Sequence, residues 1–250
     1  MGVILKTKKE IEALRKANSI VVEVLNDLKA AAAPGMTTMD LEKRAAKIMK
    51  KTGAKSAFLG YRGFPGILCA SVNEEIVHGI PSDKKVLKDG DIVSIDFGVE
   101  LEGYYGDAAL TFPVGKVSEE KEKLMRTTRE ALHKAIEKMI PGNHLSDLAD
   151  AVQCHAESNG FSVVYQFVGH GIGRQMHEDP QVPNCGKPSP DVRLAEGMVL
   201  AVEPMINVGV AEVDVLDDGW TAVTADRKPS AHFERSVAVT ADGPDILSDW

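Results

Sequence analysis

Two aspartates lie within a stretch that otherwise has the pattern of a buried β-hairpin. Asp96 follows the apolar run at 92–95, and Asp107 follows a turn around Gly103. Aspartate is depleted from strand interiors, and an ionised carboxylate in an apolar sheet is costly unless something pairs with it. Two such residues eleven apart on one hairpin could face each other across the ladder. A bound cation would remove their repulsion; the alternative is a pair of exposed aspartates at the strand ends.

Three further features carry groups of the same chemistry. The glycine-rich run GHGIGRQMHEDP (169–180) contains His170 and His177, Glu203 follows an apolar run, and Glu234 lies in the otherwise apolar AHFERSVAVT. Each alone is a weak signal, because a single such residue beside a strand is usually structural. The two histidines are seven apart and do not match the i, i+4 pair of helical zinc sites, so they need not share one metal.

Together these residues supply four carboxylates and an imidazole. Four negative charges in one cavity would be compensated by two divalent ions, and oxygen-rich ligands with one nitrogen suit Mn²⁺, Fe²⁺, Co²⁺ or Zn²⁺. Two such ions can share and deprotonate one water molecule. A nearby glutamate can move its proton, and neutral histidines can stabilise the oxyanion. The predicted reaction class is metal-assisted hydrolysis of an acyl bond.

The composition restricts the class of protein. The chain has 250 residues, with 37 acidic and 29 basic side chains and a net charge of −8. This balance argues against a nucleic-acid-binding surface. Cys69, Cys154 and Cys185 share no C-x-x-C spacing, which is typical of a reduced compartment. No stretch has the length of a signal-peptide core or a membrane span. The sequence therefore predicts a soluble cytoplasmic protein.

Four helices are predicted, in two pairs. Thr7 with Glu10 and Thr37 with Asp40 have the pattern of helix starts, and the second helix is expected to end at Gly53. The third is expected to begin at Ser118, to carry Leu124, Leu132, Ile136 and Met139, and to stop at Pro141-Gly142. The fourth carries Leu148 and Val152 and is expected to end at Gly160.

The order of helix, helix and strands occurs twice, at one ungapped offset of 107. PGMTTMDL (34–41) aligns with PGNHLSDL (141–148), and DGDIVSID (89–96) aligns with EGMVLAVE (196–203), which places Asp96 on Glu203. This predicts a single α+β domain over 1–250. Two αα-β halves, at about 7–107 and 115–240, would be related by a pseudo-twofold axis around a central antiparallel sheet. The alternative is that PG and DG turns recur by chance.

The combined motifs resemble a known family. VHGIP (77–81), IDFG and GD (95–107), GHGIG with HE-P (169–180), EPM (203–205) and FE (233–234) are similar to the motifs of bacterial type I methionine aminopeptidases, which have the pita-bread fold. The resemblance implies two divalent ions (Co, Mn, Fe or Zn) with Asp107 and Glu234 bridging them. It implies His78 and His177 as contacts of the scissile amide and its oxyanion, and Glu203 as proton shuttle. The five implied ligands are Asp96, Asp107, His170, Glu203 and Glu234.

The same resemblance implies a pocket for the methionine side chain. Its lining would be Phe58, Tyr61, Phe64, Cys69, Met176 and Trp220, with Arg62 at the mouth as a substrate contact. Such a pocket suits a thioether, because sulfur–aromatic contacts are favourable. Phe64 and Cys69 could instead be ordinary core, and Arg62 an exposed arginine without a contact. Phe58, Met176, Arg62 and Arg235 replace the Cys, Phe, His and His that are usual in the family.

The implied activity is removal of N-terminal methionine from peptides and nascent chains with a small second residue. A monomer near the ribosome, with no membrane and no specific nucleic acid, is expected. One alternative is an Xaa-Pro peptidase of the same fold; such enzymes carry an extra N-terminal domain that is not seen here. The other is a non-catalytic binding relative, which would be expected to have lost ligands.

Overall fold

The computed structural model describes residues 2–250. Within that range the helices are α1 (Lys8–Ala31), α2 (Thr38–Thr52), α3 (Glu119–Ile136) and α4 (Leu145–Ser158), and a 3₁₀ turn covers Tyr61–Gly63. The strands of the first half are β1 (Lys55–Ser56), β2 (Cys69–Val72), β3 (Glu75–Val77), β4 (Ile92–Leu101) and β5 (Tyr104–Pro113). Those of the second half are β6 (Ser162–Val163), β7 (Gly169–Gly171), β8 (Glu178–Val182), β9 (Val199–Val202), β10 (Met205–Asn207), β11 (Val213–Val215), β12 (Ala222–Thr224), β13 (Ser230–His232), β14 (Glu234–Thr240) and β15 (Gly243–Ile246).

The helix boundaries follow local signals. The predicted capping boxes form at the starts of α1 and α2, and Gly53 takes the left-handed conformation that ends α2. The expected end of α3 was wrong. This helix stops at Ile136, and the amide of Met139 bonds to the carbonyl of Ile136 in a tighter turn. Met139 is still fully buried, because that turn continues the apolar face of the helix.

The predicted central antiparallel sheet is confirmed. Its main path over the described residues runs β1-β4-β5-β14-β9-β7-β8, with β2 beside β4 and β15 beside β14. The strands β4 and β5, each ten residues long, form a hairpin, and β14 pairs with both β5 and β9. The strands of the first half and the strands of the second half therefore meet where β5 pairs with β14. Two smaller sheets, β13-β10-β6 and β11-β12-β3, flank this arrangement.

The central sheet separates an apolar face from a polar one. Ile95 and Phe97 of β4 belong to the same buried cluster as Val21 and Leu25 of α1. Because side chains alternate along a strand, Asp96 points to the other face. The sheet is thus covered by helices on one side and presents carboxylates on the other. None of the helices within residues 2–250 is long and apolar enough to cross a bilayer.

The offset of 107 recurs in the hydrogen bonding. The amide of Gly35 donates to the carbonyl of Leu87 (2.8 Å), and the amide of Gly142 donates to the carbonyl of Leu194 (3.0 Å). Both glycines have a positive φ, +91° and +101°. Equivalent turns thus open the second helix of each half, which supports the duplication proposed from the sequence.

Candidate active site

The hairpin aspartates lie on one face of the sheet as diagonal neighbours. The residue paired with Asp96 is Ala109, and the residue paired with Asp107 is Gly98, so the two aspartates are not directly opposite each other. The expectation that they face each other across the ladder is therefore corrected to a diagonal. Diagonal side chains remain within reach of each other, and the two carboxyl groups interact.

Three other elements bring the remaining predicted ligands to the same place. His170 lies on β7, Glu203 directly follows β9, and Glu234 begins β14. His170 Nε2 is 3.7 Å from Asp107 Oδ2 and 3.7 Å from Glu203 Oε1. One side-chain atom each from Asp107, His170 and Glu234 lies within 4.8 Å of the others. Residues separated by up to 138 positions are thereby gathered around one point.

Three oxygens of the carboxylate cluster have no hydrogen-bond partner within residues 2–250. Asp96 Oδ1, Asp107 Oδ1 and Glu234 Oε1 are buried and have no hydrogen-bond partner among the described residues. Burial raises the pKa of Asp96 and of Glu203 to about 7, and it raises the pKa values of Asp107 and Glu234 well above the ordinary range, to which neighbouring carboxylates add. Buried polar atoms are rarely left without a partner, so these unsatisfied oxygens indicate a binding site for a cation.

His170 presents a free nitrogen to this cluster. Its Nδ1 lies 2.9 Å from the carbonyl oxygen of Gly171, which can only accept a hydrogen bond. The proton therefore lies on Nδ1, and the lone pair of Nε2 faces Asp107 and Glu203. Burial lowers the pKa of His170, which favours this neutral form. Carboxylate oxygens with one imidazole nitrogen fit a hard to borderline divalent ion.

The two other predicted histidines flank the cluster. His78 has a positive φ of +62°, in a turn closed by Gly79, where a Cβ atom would lie 2.4 Å from the carbonyl oxygen of Ala70. His177 Nδ1 lies 2.8 Å from Tyr61 Oη. Burial lowers the pKa of His78 and of His177 to about 4. Both rings are therefore neutral at pH 7.

These groups line a cavity of about 320 Å³. Its apolar part is a cluster in which Phe64 contacts Trp220 edge to face, with ring centroids 5.2 Å apart. Arg62 is exposed at the rim with its guanidinium 5.4 Å from the centre of the Tyr61 ring, and its φ is +50°. Every predicted site residue lines this cavity: Phe58, Tyr61, Arg62, Phe64, Cys69, His78, Asp96, Asp107, His170, Met176, His177, Glu203, Trp220 and Glu234.

Sequence reasoning missed several groups. His232 is 1% exposed and has Nε2 3.4 Å from Glu203 Oε2. Its position two residues before Glu234, on the same side of an extended chain, was a signal that could have found it. Phe167 also lines the cavity, with its ring 5.3 Å from that of His78. Nothing in the sequence marks the loop that carries it.

Arg235, which replaces the histidine expected at this position, lies away from the cavity. Strand alternation turns this side chain to the face opposite Glu234. There its Nη1 is 2.9 Å from Asp249 Oδ1, and its guanidinium stacks over the ring of Trp250 at 4.4 Å. This substitution therefore changes the packing behind the sheet and leaves the site lining unchanged.

Comparison with known proteins gives consistent matches. The model of "Metallopeptidase family M24" matches residues 12–241. A methionine aminopeptidase of Clostridium perfringens is 53% identical over 98% of this chain and 98% of its own length. Methionine aminopeptidase 1 of Bacillus subtilis is 48% identical over 98% of this chain and 99% of its own. A solved methionine aminopeptidase structure from Thermotoga maritima is 46% identical, with a TM-score of 0.97 and complete coverage of both chains.

Proposed function

This chain belongs to the methionine aminopeptidases of metallopeptidase family M24, and we propose that it removes N-terminal methionine from peptides and nascent proteins whose second residue is small. One observation carries the proposal. Four carboxylates and a neutral imidazole converge at one side of a cavity whose other side is an apolar, aromatic pocket. The proposed divalent-ion site would thus share one cavity with a pocket that suits a thioether side chain.

Four of the five proposed ion-binding residues have an orphaned oxygen or a free ring nitrogen, and the fifth, Glu203, has Oε1 3.7 Å from that nitrogen. Two divalent ions, of Co, Mn, Fe or Zn, would compensate the four negative charges, with Asp107 and Glu234 shared between them. When bound, such ions supply Lewis acidity and lower the pKa of a water molecule. The proposed ligands are Asp96, Asp107, His170, Glu203 and Glu234, supported by the orphaned oxygens and the free Nε2.

Glu203 is the proposed proton carrier. Its side chain is 14% exposed, at the boundary between the carboxylate cluster and the open cavity. Its pKa, raised to about 7 by burial in the absence of ions, marks a carboxyl group whose protonated form is accessible. We assign it the transfer of a proton from the attacking water to the leaving amine.

His78 and His177 are the proposed donors to the substrate amide. Both are neutral at pH 7, so each offers one N–H group. If the Tyr61 hydroxyl donates to Nδ1 of His177, Nε2 of His177 carries the proton. A neutral donor that is held in place stabilises a developing oxyanion without reorganisation.

The methionine pocket and a second cavity define the proposed substrate path. The pocket residues are Phe58, Tyr61, Phe64, Cys69, Met176 and Trp220. A second cavity of about 390 Å³ shares Arg62, His170 and His177 with the first. We propose that residues downstream of the cleaved bond run past Arg62 into this cavity, where its guanidinium donates to peptide carbonyls.

We also propose a single catalytic domain that acts as a cytoplasmic monomer close to ribosomes. The duplication supports one domain, since β14 joins both halves in one sheet. The three cysteines are unpaired within residues 2–250, in keeping with a reducing compartment. The net charge of −8 argues against a specific nucleic-acid ligand.

The experiment is peptide cleavage by metal-stripped protein reconstituted with each ion in turn. We expect methionine release from Met-Ala-Ser only after a divalent ion is added. The Xaa-Pro alternative predicts faster turnover of Ala-Pro-Ser, and the binding-relative alternative predicts no turnover with any ion. Relatives at 46–53% identity are named methionine aminopeptidases, which favours the first outcome.

A further inference from the structure

We propose that Lys6, which lies outside the site, is a positioning residue that holds the catalytic loop in place. The loop is the segment 173–178, and it carries Met176 and His177. The contact is a buried ion pair between Lys6 and Glu178, at the end of the loop. The inference deepens the proposed function and rests on the role given there to His177.

The ion pair is among the most buried in the described residues. Lys6 Nζ lies 2.5 Å from Glu178 Oε2, and the two side chains are 5% and 4% exposed. Lys6 Nζ also donates to the carbonyl of Ile4 (2.9 Å), and the Lys6 amide donates to the carbonyl of Gly197 (2.7 Å). The backbone of Lys6 is thereby fixed to the segment just before β9, and the ammonium is held between Ile4 and Glu178.

The second carboxylate oxygen of Glu178 closes the loop. Glu178 Oε1 accepts hydrogen bonds from the amide of Arg174 (2.8 Å) and the amide of Gln175 (3.1 Å). The carboxylate thus binds the start of the loop with one oxygen and the Lys6 ammonium with the other. Removing one partner of a buried pair leaves an uncompensated charge, which is strongly destabilising locally.

Gly173 gives independent evidence that the loop is built around this pair. A Cβ atom at position 173 would lie 2.5 Å from Glu178 Oε1 and 2.6 Å from Lys6 Cε. Real Cβ atoms do not approach so closely, so a side chain at position 173 would have to displace the carboxylate of Glu178 or the end of the Lys6 side chain. The carbonyl of Gly173 also accepts from the amide of Tyr105, which ties the loop to β5.

The position of His177 depends on this arrangement. Its ring lies 4.1 Å from the ring of His170, and it precedes Glu178 directly in the chain. Without the ammonium, Glu178 would move toward water and take the loop with it. A displacement of about 1 Å at a catalytic group can lower the rate about a hundredfold.

The test is the variant Lys6→Met, which keeps the length of the side chain and removes its charge. For Met-Ala-Ser we expect kcat/KM to fall about 10- to 100-fold, mostly in kcat, because the oxyanion contact is displaced. The matched control is Lys43→Met. Lys43 forms an exposed ion pair with Asp83, so its replacement should leave kcat/KM within twofold.

A second readout does not depend on activity. Hydrogen–deuterium exchange of the metal-free protein should show faster exchange at 173–178 in Lys6→Met, with the β4–β5 hairpin unchanged. The double variant Lys6→Met/Glu178→Gln removes the unpaired charge and retains Oε1 as an acceptor. It should recover at least fivefold in kcat/KM over Lys6→Met.

Three results would overturn the proposal. The first is a kcat of Lys6→Met within twofold of wild type together with unchanged exchange. The second is faster exchange in Lys6→Met that extends equally to the β4–β5 hairpin. The third is a double variant that is as slow as Lys6→Met. If the wild-type protein releases no methionine from any peptide, the proposed function fails instead. In that case the exchange data still decide whether Lys6 anchors the loop.

Discussion

Replacing Asp96 by asparagine should stabilise the metal-free protein while it removes a proposed ion ligand. In the absence of ions, burial raises the pKa of Asp96 from the ordinary 3.8 to about 7, and the negative charge of Glu203 acts in the same direction. The folded state therefore binds this proton more tightly than the unfolded state. As the pH rises from about 4 through 7, the metal-free protein loses stability. Asparagine carries no charge and avoids this loss.

The size of the effect follows from the pKa. A rise in the pKa of Asp96 from 3.8 to about 7 lowers the free energy of unfolding of the metal-free protein at pH 8 by at most about 4 kcal/mol. Asp107 and Glu203 titrate together with Asp96, and local relaxation reduces the loss of stability further. We therefore expect Asp96→Asn to raise the free energy of unfolding by about 1–3 kcal/mol. For a chain of this length each kcal/mol changes the Tm by about 2–4 °C. Asp96→Asn should thus raise the Tm by about 2–12 °C at pH 8, and hardly at all at pH 4.

The assay is thermal unfolding of chelator-treated wild-type and variant protein at pH 4, 6 and 8. The control is Asp83→Asn, because Asp83 is exposed and its pairing with Lys43 is screened by water. The difference in Tm between Asp83→Asn and the wild type should not depend on pH in this range. An Asp96→Asn protein that is less stable than wild type at pH 8, without metal, would refute the reasoning. It would mean that the carboxylate cluster is not a source of electrostatic repulsion.

Three further predictions concern the loaded enzyme. Asp107→Ala should abolish activity and lower the number of divalent ions bound per chain, measured by elemental analysis; full activity with unchanged metal content would contradict the shared-ligand assignment. Glu203→Gln should fold normally by circular dichroism, and its kcat should fall by about 10³-fold or more, since proton transfer and ion binding both suffer. A near-normal kcat would place the proton carrier elsewhere. Arg62→Ala should raise KM for tri- and tetrapeptides about three- to tenfold with little change in kcat; an unchanged KM across a series of peptide lengths would show that Arg62 makes no substrate contact.

Much of the fold could be predicted because its signals are local. The capping box at Thr7 and the left-handed stop at Gly53 depend on a few neighbouring residues. The carboxylates at 96 and 107 were found because their type conflicts with a buried hairpin. Their diagonal placement was not found, since strand register depends on the whole hairpin and not on the spacing of two residues.

The remaining features of the site depend on contacts between distant segments. Lys6 and Glu178 are 172 positions apart, and no periodic pattern connects them. The second cavity likewise combines Gly2 and Ile4 of the first residues with His177 and its neighbours. Such tertiary contacts follow from the assembled sheet and have no signature in either segment alone.

The most direct test of the central claim is the ratio of kcat/KM for Met-Ala-Ser to that for Leu-Ala-Ser, measured with the ion-loaded enzyme. A pocket lined by Phe58, Phe64, Met176 and Trp220 should favour the unbranched thioether over the branched isobutyl group. Discrimination between similar side chains in an apolar pocket is about 10- to 200-fold. We predict a ratio above ten, and no cleavage of either peptide after chelation. A ratio at or below one, or cleavage that survives complete removal of divalent ions, would contradict the account.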